Sequence, residues 1–219
     1  MLEVKGLRAS IAGAEVLRGV TLQVPAGGRV ALIGRNGAGK TTTLRCVMGL
    51  VSPAAGSIAI DGQDCADVAA HCRAGLGIGY APEERRLFGS FTVEENIRLP
   101  GEVLGLGRAE VARRLAAIYA ILPEVAAFGP RKAAGLSGGQ GKMVALARAL
   151  MTGTRAILLA EPFQGLAPAL ALRYSEALSR LHEALPEVAI LITESSPELL
   201  RPLVERTYVI ERGEIETTL

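Results

Sequence analysis

Short apolar runs alternate along the chain with longer segments of helical spacing. Val30 to Ile33 is a continuous apolar run, as expected of a strand that is buried on both faces. A glycine-rich segment follows, and the spacing then predicts a helix over Lys40 to Met48 that stops at Gly49. Similar elements are predicted later: strands at Ala156 to Leu159 and Val188 to Thr193, with a helix over Pro168 to Ala184 between them. Strands that alternate with helices in this way indicate an α/β fold.

Further strands are predicted near both ends of the chain, and helices in its middle. The strands lie at Leu2 to Leu7, Val20 to Val24, Ser57 to Gly62 and Gly77 to Tyr80, and a terminal hairpin joins Tyr208 to Ile210 with Glu214 to Glu216 through Glu211 to Gly213. After Pro82, Ala, Leu, Glu and Arg recur at helical spacing over Thr92 to Leu122, and another helix covers about Gly138 to Met151. We therefore expect one domain, residues 1–219, with a helical subdomain at about 84–152 inserted in the core.

The glycine-rich segment after the first buried strand has the pattern of a phosphate-binding loop. Its spacing is Gly-x-x-x-x-Gly-Lys-Thr between a strand and a helix, the context that this motif requires. Backbone N–H groups at a helix start attract phosphate, Lys40 would reach the β and γ phosphates, and the Thr41 hydroxyl would bind Mg²⁺. The predicted ATP-binding residues are Gly34, Arg35, Asn36, Gly37, Ala38, Gly39, Lys40, Thr41 and Thr42.

A later strand ends in only half of the acidic pair expected beside such a loop. The segment Ile157 to Glu161 has Ala160 where a magnesium-binding aspartate would stand. Glu161 remains, and we expect it to polarise the attacking water as a general base. The alternative for a lone glutamate after an apolar strand is a solvated strand end.

A second anion site is predicted at Leu136 to Gln140, which we call the signature segment. Ser137, Gly138, Gly139 and Gln140 combine a hydroxyl and glycine N–H groups at the start of a helix. Taken alone, this pattern is equally typical of a capped helix start. Its place between the phosphate loop and the acidic strand end makes it more specific.

Together these segments resemble the ATP-binding subunits of ABC transporters over essentially the whole chain. Gly34 to Thr42 matches their Walker A loop, Leu136 to Gln140 their signature, and Ile157 to Pro162 their Walker B strand. The subunits of branched-chain amino acid uptake systems are the most similar, through the segments Tyr80 to Phe88, Phe91 to Asn96 and Gly165 to Pro168. The resemblance implies a P-loop NTPase core with an N-terminal antiparallel β region and a helical signature subdomain.

The resemblance also implies ligands and partners. Two ATP-binding subunits would pack head to tail, as a homodimer or heterodimer, with ATP held between the Walker A loop of one and the signature of the other. Mg²⁺ would be bound through Thr41 and Glu83, and Glu83 replaces the glutamine usual at its position. Membrane permease subunits would contact the segment around Glu83 to Phe91, in which Arg85 to Phe88 combine charge with apolar bulk, although this stretch also fits an ordinary surface loop.

Several residues depart from the family pattern around the chain's own nucleotide. Besides Ala160, Ser195 stands where many members have a histidine that contacts the γ-phosphate. Ile11 stands where an aromatic ring would stack on adenine. The signature segment keeps the family pattern. The departures therefore lie in residues that serve the chain's own nucleotide site.

Composition excludes other classes of function. The net charge is +2 and no basic run is present, so we expect no nucleic-acid partner. Cys46, Cys65 and Cys72 are too few and too irregularly spaced for a disulfide framework or zinc site, which favours a reducing compartment. Met1 to Lys5 reads as the start of a strand rather than a leader, and no apolar run approaches the ~18 residues of a membrane span. The expected location is cytoplasmic, on the inner face of the membrane through permeases.

The function that best fits the sequence is an ATP-binding subunit that energises a membrane importer, for branched-chain or other amino acids, with weakened hydrolysis at its own site. The alternative is a nucleotide-sensing module that dimerises on ATP without catalysis. The transported substrate is not determined by this sequence, and an engineered origin of Ala160 stays open.

Overall fold

A computed structural model describes residues 1–219, which form two sheets with helices packed around them. The strands are β1 Leu2–Ile11, β2 Ala14–Val24, β3 Arg29–Ile33, β4 Ala55–Ile60, β5 Gln63–Asp64, β6 Ile78–Ala81, β7 Ala156–Ala160, β8 Ala189–Glu194, β9 Arg206–Glu211 and β10 Glu214–Thr218. The helices are α1 Lys40–Val47, α2 Ala70–Arg73, α3 Val93–Val103, α4 Arg108–Ile121, α5 Pro123–Ala126, α6 Gly138–Leu150 and α7 Pro168–Ala184. Two 3₁₀ turns lie at Ala74–Leu76 and Ala133–Gly135.

The larger sheet places the ends of several strands side by side. Its order is β10-β9-β3-β8-β7-β6, and every pair except β9–β10 is parallel. The last residues of β3 and β7, Ile33 and Ala160, are each in register with the end of β8 at Glu194 and Thr193. The carboxyl ends of parallel strands are where open α/β sheets bind ligands, so the loops after these strands meet at one edge.

The smaller sheet is antiparallel, in the order β2-β1-β4-β5. Its first two strands are longer than the sequence predicts: β1 continues past Leu7 to Ile11, and β2 begins at Ala14 rather than Val20. Gly6 has φ +58° and Gly19 φ +117°, and the β1–β2 pairing shifts register near both. Bulges of this kind interrupt the apolar alternation on which the sequence prediction depends.

The middle of the chain is helical, as predicted, but the stretch over Thr92 to Leu122 is broken. It forms α3 and α4, separated by a turn in which Gly105 has φ +73°. The predicted helix start is confirmed, since the Thr92 side chain accepts a hydrogen bond from the Glu95 N–H and the Glu95 side chain accepts one from Thr92. Helices α3 to α7 pack on one face of the large sheet and share its core, and β1, β2 and α1 pack on the other.

Short elements around α2 were not predicted. They are fixed by Arg73, which is 4% exposed and donates hydrogen bonds to the carbonyls of Cys46, Val47 and Cys65. The three cysteines are free thiols, with Cys46 and Cys65 buried and Cys72 exposed. None of the helices combines the length and the apolar character required to cross a bilayer.

Candidate nucleotide site

The phosphate loop connects β3 to α1 at the carboxyl edge of the large sheet. Its last glycine, Gly39, has φ +116° and lies so close to β2 that a Cβ there would be 2.7 Å from Leu17 Cδ2. A side chain is therefore excluded by both backbone conformation and space. The Thr43 hydroxyl donates to the Gly39 carbonyl at 3.0 Å, which closes the first turn of the helix.

Lys40 lies folded onto the loop rather than extended into solvent. Its side chain is 4% exposed, and its Nζ donates to the carbonyls of Gly34 and Arg35, the latter at 3.1 Å. The same ammonium is 3.1 Å from Ser195 Oγ and 3.0 Å from Glu161 Oε1. A buried ammonium without partners would be costly, so these acceptors stabilise its charge.

Glu161 follows β7 in a conformation that is unusual for a residue with a side chain. Its φ is +47°, and its N–H donates to the Thr193 carbonyl at 3.0 Å. The carboxylate accepts the Ser195 N–H at Oε2, 3.1 Å, and lies 3.0 Å from the Ser195 hydroxyl at Oε1. A left-handed backbone persists only where surrounding contacts hold it, and such strain is concentrated at functional sites.

Ser195 joins the three loops of this edge. Besides Glu161 and Lys40, its hydroxyl lies 2.9 Å from Asn36 Oδ1 in the phosphate loop. A hydroxyl has one proton, so it donates to Asn36 or to Glu161 at any moment and accepts from Lys40. The sequence treats Ser195 only as a missing histidine, whereas the structure places its hydroxyl at the centre of the hydrogen bonds.

Glu194 is a second buried carboxyl beside Glu161. Its Oε1 accepts the Phe163 N–H at 2.7 Å. Burial raises the pKa of Glu194 to about 8; the neighbouring Glu161 acts in the same direction, against the Phe163 amide and Lys142. Desolvation disfavours the charged form, which is why the carboxyl retains its proton up to near-neutral pH. The sequence does not identify this residue as a site residue, because a glutamate at a strand end does not reveal its burial.

Ala160 ends β7 opposite Thr193 and is 3% exposed. Its methyl group packs in the apolar cluster that includes Leu44 of α1. A methyl group has no lone pair with which to bind a metal or to accept a hydrogen bond. At this strand end the acidic chemistry therefore belongs to Glu161 and Glu194.

A cleft of about 480 Å³ opens over the phosphate loop. It is lined by Ile11, Val16, Asn36, Gly37, Gly39, Lys40, Thr41, Thr42, Glu83, Glu161 and Gln164. The structure thus brings most of the predicted ATP-binding residues together with Glu161 and Glu83. Val16 and Gln164 were missed, because neither belongs to a motif. Of the other predicted residues, Arg35 contributes its carbonyl to Lys40 and Ala38 is buried.

The cleft presents oxygen ligands that fit Mg²⁺. Thr41 and Glu83 line it with a hydroxyl and a carboxylate, the oxygen ligands that Mg²⁺ prefers. No group of three or more His, Cys, Asp and Glu side chains is placed to hold a metal ion. Mg²⁺ is commonly held by one or two protein groups plus substrate phosphates, so these residues fit a metal that arrives with a nucleotide.

The signature segment does not line this cleft. Ser137 caps α6: its Oγ accepts the Gln140 N–H at 3.3 Å and its N–H donates to Gln140 Oε1 at 3.0 Å. Ser137, Gly139 and Gln140 instead border a separate cavity of about 360 Å³ that also touches Phe128 and Tyr174. Within one chain, the two segments predicted to bind anions therefore face different spaces.

The segment after β6 is held firmly although its tip is exposed. Arg85 and Arg86 have φ +63° and +48°, and the Arg148 guanidinium of α6 donates to both of their carbonyls at 2.6 Å. Phe88 stacks near Phe91, with ring centroids 5.3 Å apart, and stays 51% exposed. An apolar ring is thus presented on a fixed loop.

The sequence profile of the ABC transporter family matches residues 17–164, which include the phosphate loop, the signature segment and Glu161. The chain belongs to the ABC transporter family. The confirmed resemblance identifies it as an ATP-binding subunit of a transporter, with the ATP-binding chemistry of that family.

Relatives of this subunit differ in what they serve. It is 39% identical to an uncharacterised ABC transporter ATP-binding protein of Rhizobium meliloti, over 97% of this chain and 78% of that protein. A lipopolysaccharide export system ATP-binding protein, LptB, of Acidithiobacillus ferridurans is 34% identical over 99% and 89%. A probable branched-chain amino acid transport ATP-binding protein, LivF, of Archaeoglobus fulgidus is 30% identical over 98% and 90%.

The fold supports the same family as the sequence profile does. A solved structure of an ATP-binding subunit of an ABC transporter superposes with a TM-score of 0.86 at 31% identity, over all of this chain and 89% of that one. The α/β class, with one antiparallel sheet and one mixed sheet, is confirmed as that of an ABC cassette.

Proposed function

We propose that this subunit energises a membrane importer for branched-chain or other amino acids, and that its own nucleotide site turns over slowly. Amino acid import is supported by the segment Tyr80 to Phe88 and by the LivF relative. The slow site is supported by one observation: Ala160, whose methyl group is buried, stands where the family resemblance implies a metal-binding aspartate. The undamaged cap at Ser137 leaves the signature segment able to serve a partner's nucleotide.

The proposed chemistry assigns a role to each residue of the cleft. The N–H groups of the phosphate loop and the Lys40 ammonium bind the phosphates, and Thr41 and Glu83 hold Mg²⁺, which would neutralise charge on the phosphate oxygens. Lys40 pairs with Glu161 at 3.0 Å, so moving the ammonium to a phosphate releases that carboxylate. Glu161 then accepts the proton of the attacking water.

Replacement of Ala160 tests the slow site. We expect Ala160→Asp to raise Mg-ATP hydrolysis by about 10–100-fold, the usual effect of groups that orient a metal or its ligands. The assay is steady-state phosphate release from the purified chain with its partner, with Lys132→Met as the control because the Lys132 side chain is 63% exposed. An unchanged rate in Ala160→Asp would contradict the proposal.

The second candidate is a nucleotide sensor without catalysis. The contacts of the Glu161 carboxylate favour it. Glu161 is bound by Lys40 and twice by Ser195, which leaves it poorly placed to act as a base. For this candidate, Ala160→Asp gives no gain and Glu161→Gln has the same hydrolysis rate as the unaltered chain. ATP would still drive dimerisation, which sedimentation velocity measures.

A change in the signature segment tests the division of labour. Ser137→Arg places a bulky cation at the start of α6, where the proposed partner nucleotide binds. We expect it to abolish hydrolysis by the two-subunit complex while ATP still binds at this chain's own cleft. If the complex loses no activity, the signature segment does not serve the partner.

A further inference from the structure

Lys142 is a charged residue that the proposed chemistry does not use. It lies in α6, two residues after the signature segment, and its side chain is partly buried. Its Nζ donates a hydrogen bond to the backbone carbonyl of Glu161. The helix that begins with Ser137 is thereby attached to the residue expected to act as the base.

Acidic neighbours partly offset the burial of the Lys142 ammonium. Burial lowers the pKa of Lys142 and Arg85 acts in the same direction, while Glu194, Glu83 and Glu161 act against it. The cavity beside the Lys142 side chain is only about 10 Å³, at the lower limit for a single water molecule. Among protein acceptors, the Glu161 carbonyl is the one that the ammonium contacts directly.

The backbone of Glu161 requires such support. Its φ of +47° is in the left-handed region, and its carbonyl receives one other hydrogen bond, a long one of 3.3 Å from the Gln164 N–H. The N–H of Glu161 donates to the Thr193 carbonyl in β8, and its carboxylate accepts the N–H of Ser195, the residue after β8. The third attachment, at the carbonyl, comes from Lys142 of α6, which we call the signature helix because it begins at the signature segment.

We propose that Lys142 is a positioning residue for ATP hydrolysis, which fixes the backbone of Glu161 to the signature helix and so sets where the Glu161 carboxylate stands. The role rests on the proposed function, since Glu161 is taken as the base. One consequence is a link between the two nucleotides of a dimer: Ser137 at the start of α6 faces the partner's nucleotide, and Lys142 on the same helix holds this chain's own base.

Three variants test the kinetic part. Lys142→Met keeps the length and apolar stem but removes the ammonium, Lys142→Arg keeps a cation, and Lys132→Met is the exposed control. In the assembled complex we expect Lys142→Met to lower kcat by about 10–100-fold with KM within about twofold, because small displacements of catalytic groups cost up to about 100-fold. Lys142→Arg should recover most of the rate. A kcat that is unchanged in Lys142→Met, or that falls equally in Lys142→Met and Lys142→Arg, would overturn the proposed positioning role of Lys142.

Amide hydrogen exchange supplies a readout that does not need turnover. We expect the Gln164 N–H, which shares the Glu161 carbonyl with Lys142, to exchange at least about fivefold faster in Lys142→Met than in the unaltered chain. Lys142→Arg and Lys132→Met should leave it unchanged, and an unchanged rate in Lys142→Met would overturn the inference. Glu161→Gln separates the two proposals. If this variant hydrolyses ATP as fast as the unaltered chain, Glu161 is not the general base. The exchange rate of the Gln164 N–H then still shows whether Lys142 holds the Glu161 carbonyl.

Discussion

At the scale of single residues, Ser195 shows how a departure from a family pattern acquires a physical role. The sequence identifies it only as the absence of a histidine. In the structure its N–H and hydroxyl contact the Glu161 carboxylate, and the hydroxyl also contacts Lys40 and Asn36. Which groups meet at this hydroxyl depends on three loops that are far apart in sequence, so no local pattern could reveal it.

Ser195 can be tested directly. We expect Ser195→Ala to lower hydrolysis by about 10-fold, because the carboxylate of Glu161 loses a hydroxyl contact, while Ser195→Thr keeps most of the rate. The measurement is kcat for Mg-ATP in the assembled complex. A higher rate in Ser195→His than in the unaltered chain would show instead that Ser195 marks the loss of a catalytic histidine.

Glu194 gives a prediction about pH and stability. Its folded pKa is raised to about 8, above the ordinary value of 4.5, so the folded protein binds the proton more tightly than the unfolded chain. This contribution to stability is fully present below pH ~4.5 and is lost as the pH rises to ~8. Glu194→Gln, which keeps an acceptor for the Phe163 N–H, should therefore gain stability relative to the unaltered chain over that window, by roughly 1–3 kcal/mol at its top.

The measurement is urea unfolding of both proteins at pH 5 and pH 8. An unfolding free-energy difference that is the same at the two pH values would show that Glu194 is not the titrating group. Lys142 and Glu161 face Glu194, so the Lys142→Met variant at the same two pH values reports whether the neighbouring cation contributes to the slope.

At the scale of elements, two helices begin with the same type of cap but lie in different places of the fold. Thr92 caps α3 and Ser137 caps α6, each in a capping box. Both were predicted as helix starts, since a hydroxyl and a carboxyl or amide three residues later satisfy free N–H groups. Only the position of α6 within the fold, beside β6 and β7, makes its start a candidate site.

The two caps form a matched pair for an experiment. We expect Thr92→Ala and Ser137→Ala each to lower the free energy of unfolding by about 1 kcal/mol. Only Ser137→Ala should also reduce ATP hydrolysis by the assembled complex, by more than about 10-fold. Equal activity in the two variants would identify Ser137 as a cap and nothing more.

At the scale of the whole molecule, ATP should stabilise the fold, because its proposed site joins loops from both sheets and α1. At a ligand concentration of 100 times Kd the gain is about 2.7 kcal/mol. For a chain of this size we expect the Tm to rise by about 5–10 °C in differential scanning calorimetry. Lys40→Met should lose this ATP-dependent rise, whereas Lys132→Met keeps it, and a rise that survives in Lys40→Met would place the nucleotide elsewhere.

The sequence by itself determined the α/β class, the order of the main elements and the family, because these depend on local periodicity and on contiguous motifs. It did not determine the extent of β1 and β2, where bulges at Gly6 and Gly19 interrupt the alternation. It also did not determine that Glu194, Ser195 and Lys142 surround Glu161. Parallel strands bring their carboxyl ends together from distant parts of the chain, so burial, raised pKa and shared hydrogen bonds at that edge were decided only by the tertiary structure.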